Sequence, residues 1–266
     1  MIIDAHAHIY PDKIAAKASA NVGAFYDLPM HMDGTLNTLL LNGRRHGIQR
    51  HLVHSVATLP SQVRSINDFL ASTAAAYPDE LIGFATLHPD MDEPELEVER
   101  VIGLGLVGIK LHPDFQQFAI DDRKMDRIYA AIAGKLPLLI HTGDKRYRYS
   151  NPHRVLPVLD RFPQLDLICA HFGGWSEWEE AAEVLAHRRL WVDTCSSYDF
   201  LGPEKIKKLI YRFGVERVLF GSDYPMWDPG EELANIRGLG LPSEDLDRIL
   251  GKNLLELLRI GGQFNA

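Results

Sequence analysis

The sequence predicts a single-domain (β/α)₈ TIM barrel with a metal site at the C-terminal mouth of its strands. Three observations lead there. Eight short apolar runs alternate with helical patterns along the chain, and after the first gap they recur at roughly the length of one βα unit. Each run is rich in Val, Ile and Leu, as parallel strands covered by helices should be. The length of 266 residues suits one such barrel, so residues 1–266 read as one domain. A doubly wound open sheet would usually carry a Gly-rich loop after its first strand, and none follows His8.

The first strand is the apolar run from Ile2 to Ile9. Side chains of a strand alternate between faces, so His6 and His8 share one. The stretch from Tyr10 to Gly34 shows no clear period and reads as a long first βα loop. It is placed to act as a lid with Phe25, Tyr26 and His31 against the pocket, or to serve as a homodimer contact. A helix follows over Thr35–His46, with Thr35 as N-cap and Gly47 as its stop. Gln49–Ala57 is a strand, Ser61–Tyr77 a helix ended by Pro78, Leu81–Leu87 a strand and Glu93–Gly103 a helix. Leu106–Leu111 is a buried strand ending at His112, and Asp122–Ala133 is a helix. Pro137–Ile140 is a strand running into His141, and Asn151–Arg161 is a helix. Leu165–Ala170 is a strand running into His171, and Ser176–His187 is a helix. Leu190–Asp193 is a strand running into Thr194, and Pro203–Phe213 is a helix with its proline in the first turn. Arg217–Phe220 is the last strand and runs into Asp223. A short helix near Glu231 and a final one over Ser243–Ile260 close the chain.

Composition narrows the function classes. The net charge of -8 disfavours a nucleic-acid backbone as partner and leaves a small-molecule substrate. No run approaches the ~18 apolar residues of a membrane span, and no basic-then-apolar leader opens the chain. Cys169 and Cys195 each lie inside an apolar segment, as buried free thiols of a cytoplasmic protein would.

The polar residues cluster at strand ends, the face where such barrels carry their active sites. His6, His8, His141 and Asp223 form an N₃O set suited to one divalent ion, Zn²⁺ first, with a position open for water. His171 is either a ligand of a second metal or an unligated base or electrophile beside the first. Lys110 and His112 share a face and are expected to meet substrate; Lys110 is alternatively a carboxylated bridge between two metals. Zinc lowers the pKa of bound water to about 7, which supplies a hydroxide nucleophile. Asp223 would take the water's proton and return it to the leaving group, and neutral His171 would hold the water or stabilise an oxyanion. The loop over 144–154 interleaves Lys145, Arg146 and Arg148 with Tyr147 and Tyr149. Arg146 and Arg148 are the expected clamp on a substrate carboxylate or phosphate. His54 and His88 also lie near strand ends and rank below the ligands, while Asp4 is expected to support the barrel.

Five motifs now stand together: D-A-H-A-H at 4–8, G-I-K-L-H-P at 108–113, I-H-T-G-D at 140–144, A-H-F-G-G at 170–174 and F-G-S-D-Y-P at 220–225. In this order they resemble the amidohydrolase superfamily, in particular the branch that includes aminocarboxymuconate-semialdehyde decarboxylase. The resemblance implies that His6, His8, His141 and Asp223 bind the metal and that His171 is the catalytic histidine. That branch holds hydrolases, decarboxylases and hydratases. The expected activity is hydrolysis of a small anionic amide, lactone or ester through a metal-bound hydroxide. The alternative is a metal-dependent, non-oxidative decarboxylase of an unsaturated or aromatic acid. It would need a pocket fitted to one carboxylated ring and a cation near the departing group.

Overall fold

The computed structural model describes residues 1–259. Ile260, the expected end of the last helix, and residues 261–266 of the expected domain lie outside the described residues. The strands are β1 (Ile3–His8), β2 (Arg50–His54), β3 (Leu81–Gly83), β4 (Ala85–Thr86), β5 (Ile109–Leu111), β6 (Leu138–Ile140), β7 (Leu167–Cys169), β8 (Trp191–Asp193) and β9 (Val218–Leu219). All pair in parallel with their sequence neighbours, in the orders β1-β2-β3 and β4-β5-β6-β7-β8-β9. β3 and β4 are two halves of one stave, divided at Phe84, whose amide donates to the Val53 carbonyl at 3.0 Å. The ring closes between the first and last staves. Ala5 N donates to Phe220 O at 2.7 Å, Asp223 N donates to His6 O at 2.8 Å, and Ala7 bridges Tyr224. The nine strands therefore make the eight staves of the expected barrel.

Strand parity sorts the side chains into two cores. Ile109, Leu111, Leu138, Ile140, Leu167 and Cys169 join the large cluster shared with the surrounding helices. The residues between them face the other way: Leu139 and Ile168 belong to a second cluster, with Leu52, Phe84 and Leu219, and Leu254 and Leu257 of the last helix pack onto it. Lys110 lies between Ile109 and Leu111 and faces the barrel interior by the same alternation.

Most helices appear where the pattern puts them. The Leu36–His46 helix is capped by Thr35, whose hydroxyl accepts from Thr38 N at 3.3 Å, and ends at Gly47 in the left-handed region (φ 76°). The Tyr10–Gly34 segment is a correction. It contains a 15-residue helix, Asp12–Tyr26, rather than an irregular loop. Its buried positions are Ala15, Ser19 and Gly23, spaced by four. A stripe of such small residues has helical period but little hydrophobic contrast, so an apolar pattern search passes over it. The helix expected over Pro203–Phe213 begins earlier, at Tyr198, with a break at Gly202 (φ 72°) that leaves Pro203 opening the second part. Among the described residues no helix is long and apolar enough to cross a membrane.

Candidate active site

β1 delivers His6 and His8 to the mouth. His6 Nε2 lies 3.3 Å from His8 Nε2 and 3.4 Å from Asp223 Oδ1, and His8 Nε2 lies 3.5 Å from the same oxygen. A tetrahedral ion with bonds of about 2.1 Å has ligand-to-ligand edges of about 3.4 Å. The three atoms are thus spaced as the edges of one coordination shell, and the residues fit a divalent cation. Asp193 fixes which nitrogen of His6 is free. His6 Nδ1 donates to Asp193 Oδ2 at 2.8 Å, so the Nε2 lone pair faces the mouth. Asp193 is fully buried; burial alone would raise its carboxyl, but His6 beside it holds the pKa near 2. Its second oxygen accepts from His171 N at 2.8 Å and from the Cys195 thiol at 2.9 Å. One carboxylate therefore positions His6 and His171 together.

Burial lowers the pKa of both His8 and His171 to about 4, so both are neutral at pH 7. Burial pushes Asp223 up, but the neighbouring His6 and the hydrogen bond from His8 hold it well below the ordinary carboxylate range. Its Oδ2 accepts from Ser196 Oγ at 2.5 Å, and that hydroxyl accepts from Trp227 Nε1 at 2.8 Å. His171 (φ 59°) and Asp223 (φ 62°) both sit in the left-handed region, which non-glycine residues rarely adopt. Such strain persists where surrounding contacts fix it, and here backbone amide bonds to Asp193 and to His6 O do so.

His141 is tied through His171. Its Nε2 donates to Gly143 O at 2.8 Å, and its Nδ1 lies 2.9 Å from His171 Nε2. His171 Nδ1 in turn faces Cys195 O at 3.2 Å. Gly143 (φ 81°) is required there, because a Cβ would lie 2.3 Å from Trp175 N. His141 thus reaches His6 and His8 by way of His171, and groups on its other side with His112 and Asp114.

The cleft over these residues encloses about 360 Å³ including its mouth. Val22, Tyr26, Met30, Phe115, Pro225 and Met226 give it carbon-rich walls. Lys110 and His112 line its inner side. Lys110 Nζ is fully buried, 3.0 Å from His6 Nε2; burial lowers its pKa, and Asp223 and Asp193 oppose that. His112 Nδ1 accepts from Phe115 N, so its Nε2 donates to the Tyr26 hydroxyl oxygen at 2.8 Å.

The basic loop does not reach this cleft. Arg146 is held by Asp144 through Nε at 2.9 Å and Nη2 at 2.7 Å, and its Nη1 donates to Phe25 O at 2.8 Å. Its guanidinium also lies over the rings of Phe25, Tyr26, Tyr147 and Trp175. The expected substrate clamp is therefore corrected to a bolt between two loops: its charge is already matched by buried Asp144. Arg148 is exposed and lines a separate open groove with Asn151 and Glu177. Of the expected lid residues, Tyr26 lines the cleft, whereas Phe25 packs on Phe115 and Tyr147, and His31 on Trp227. Asp4 supports the barrel as expected, accepting from Ser222 N and Oγ at 2.9 and 2.6 Å. The sequence marks Asp193 only as a strand end and Cys195 only as a buried thiol, and it singles out no role for Ser196. Their one signal is the run Asp193-Thr194-Cys195-Ser196 at a strand end, the same register as the histidines.

The sequence model of the Amidohydrolase family matches residues 3–260. The decarboxylase orsB of Emericella nidulans is 26% identical over 125 residues, which is 39% of this chain and 37% of that protein. The match thus spans little more than a third of that relative's length. An uncharacterised TIM-barrel protein from Bordetella bronchiseptica superposes with a TM-score of 0.81 at 20% identity, over 98% of this chain and 99% of that one. A dihydroxybenzoic acid decarboxylase from Polaromonas, with bound manganese and the inhibitor 2-nitroresorcinol, superposes with a TM-score of 0.74 at 16% identity, over 98% and 97% of the two chains. The chain belongs to the amidohydrolase family of enzymes.

Proposed function

We propose that the chain is a metal-dependent, non-oxidative decarboxylase of a small aromatic or unsaturated carboxylic acid. The observation that carries this reading is the cleft itself. It is small, its walls are carbon-rich, and one fully buried lysine lies among the His6, His8 and Asp223 ligand atoms. A flat carboxylated ring fits such walls, and a cation beside the ligand set meets its carboxylate. The names of the Emericella and Polaromonas proteins support the same direction. The hydrolase expected from the sequence would use the same polar residues, and the apolar Val22, Met30, Phe115, Pro225 and Met226 beside them favour a flat ring as substrate.

His6, His8 and Asp223 would hold the ion, with Asp193 fixing the His6 tautomer. Their nitrogen and oxygen donors suit Zn²⁺ or Mn²⁺. When bound, the ion neutralises the substrate's charge and polarises an oxygen beside the reacting carbon. The protein's part is positioning and proton transfer. Tyr26 O accepts from His112, which leaves the phenol proton free for the substrate carboxylate. Asp223, ionised at rest and steadied by Ser196, would take up one proton from solvent and deliver it to the carbon that loses CO₂. The bond between that carbon and the carboxyl breaks, CO₂ departs, and the proton takes its place. His171, neutral at pH 7, borders the reacting centre as a hydrogen-bonding partner. The test is a steady-state screen of Mn²⁺- or Zn²⁺-loaded protein against hydroxylated benzoic and muconate-type acids beside a panel of lactones and esters. Turnover of the acids supports the proposal; turnover confined to lactones or esters restores the hydrolase.

A further inference from the structure

His54 ends β2 and is paired in register with His8 across the parallel β1–β2 ladder, so it points into the barrel beside the ligand set. Its ring stands edge-on to His6 at 4.8 Å between centroids and to His8 at 4.3 Å. It is fully buried. Yet among the described residues neither of its ring nitrogens has a hydrogen-bond partner. Leaving a buried polar atom unpaired is destabilising, so an imidazole in this position calls for an occupant. A neutral imidazole always presents one lone pair, and ligand atoms of His6, His8 and His54 lie within 4.8 Å of one another.

We propose that His54 is a further ligand of the divalent cation, joining His6 and His8 from the neighbouring strand. This rests on the reading of His6, His8 and Asp223 as a cation site. It makes the donor set rich in imidazole, which favours Zn²⁺ or Co²⁺ over Mg²⁺ or Ca²⁺. It also anchors the ion to two adjacent staves, so that β1–β2 pairing and ion binding stabilise one another.

The test uses Co²⁺, whose visible absorption reports coordination, with affinity measured by chelator competition. The proteins are the unaltered chain, His54→Leu and His54→Gln. The proposal expects His54→Leu to bind Co²⁺ at least roughly tenfold more weakly, with an altered visible band. The metal-free thermal midpoint should hold or rise, because an unpaired buried polar ring has been replaced by an apolar group. If His54→Leu fails to fold, His54→Gln is judged by the same affinity and band. Unchanged affinity and an unchanged band in the folded variant overturn the role of His54 and leave the site reading intact. Failure of the unaltered protein to take up Co²⁺ or Zn²⁺ overturns the cation reading, and His54's role with it.

Discussion

Asp193 sets the chemistry of the mouth without facing the cleft. It receives His6 Nδ1, the His171 backbone amide and the Cys195 thiol, and so fixes which lone pair of His6 points outward while holding the His171 backbone. Asp193→Asn keeps the shape but removes the charge that fixes the His6 tautomer. It should weaken divalent-ion affinity by about 10–100-fold, read by isothermal titration, with little change in the circular dichroism of the fold. Unaltered affinity would mean that His6 is oriented by the strand alone. Asp223→Asn and His171→Asn should each lower kcat by about 10²–10⁴ while the protein stays folded. Wild-type-like turnover in either variant would remove that residue from the mechanism. At this scale the sequence reads well where chemistry follows strand parity, as at His6 and His8. It reads poorly where a role depends on which stave lies next door. Asp193 is an ordinary strand-end acid until β8 is seen beside β7, with the His6 ring reaching it from β1.

The Asp12–Tyr26 helix walls the cleft through Val22 and Tyr26, and Arg146 ties it to the loop after β6. Its guanidinium binds Asp144 on its own loop and the Phe25 carbonyl on the helix. Arg146→Met should therefore leave KM within about twofold and lower the thermal midpoint, because buried Asp144 loses its cation. A large rise in KM with an unchanged midpoint would restore Arg146 as a substrate clamp. The interleaved Arg and Tyr residues are visible in the sequence, but their pairing is not, since Asp144 and Arg146 stand only two residues apart in an unordered stretch of polar residues. The helix was hidden for a different reason. Its packed face is Ala15, Ser19 and Gly23, and close backbone approach rather than apolar bulk holds it down. At Gly23 a Cβ would lie 2.9 Å from the Leu28 carbonyl oxygen, where the chain folds back past the helix end.

The whole barrel concentrates buried histidines at one end, and that shapes its response to pH. His8 and His171 titrate near 4 in the fold against 6.5 when unfolded, and burial holds His54, His112 and His141 low as well. Below pH 6.5 the unfolded chain takes up protons that the fold refuses, so these residues withdraw stability as pH falls toward 4. Burial raises Asp114 to about 7 and Glu232 to about 8, which acts in the opposite sense. Their contribution is present at acid pH and lost as pH rises through those values. As pH falls below 6.5 the buried histidines, His88 among them, withdraw stability, and as pH rises above it Asp114 and Glu232 do so. The metal-free protein should therefore be most stable near neutrality, as urea denaturation across pH 4 to 8 would show. A flat profile between pH 4 and 6.5 would contradict the buried neutral histidines. The barrel itself was the most legible feature of the sequence, because alternating runs and strand-end histidines repeat around the ring and reinforce one another. The reaction was the least legible, because it depends on the few side chains that shape the cleft.

The most direct measurement is the fate of a labelled carboxyl group. An accepted acid carrying ¹³C in its carboxylate is turned over in D₂O by the metal-loaded protein. The account predicts one ¹³CO₂ per product and one deuterium on the carbon that lost it, with both lost on chelation. Product that retains the ¹³C, or ¹³CO₂ release that persists after the metal is removed, would contradict it.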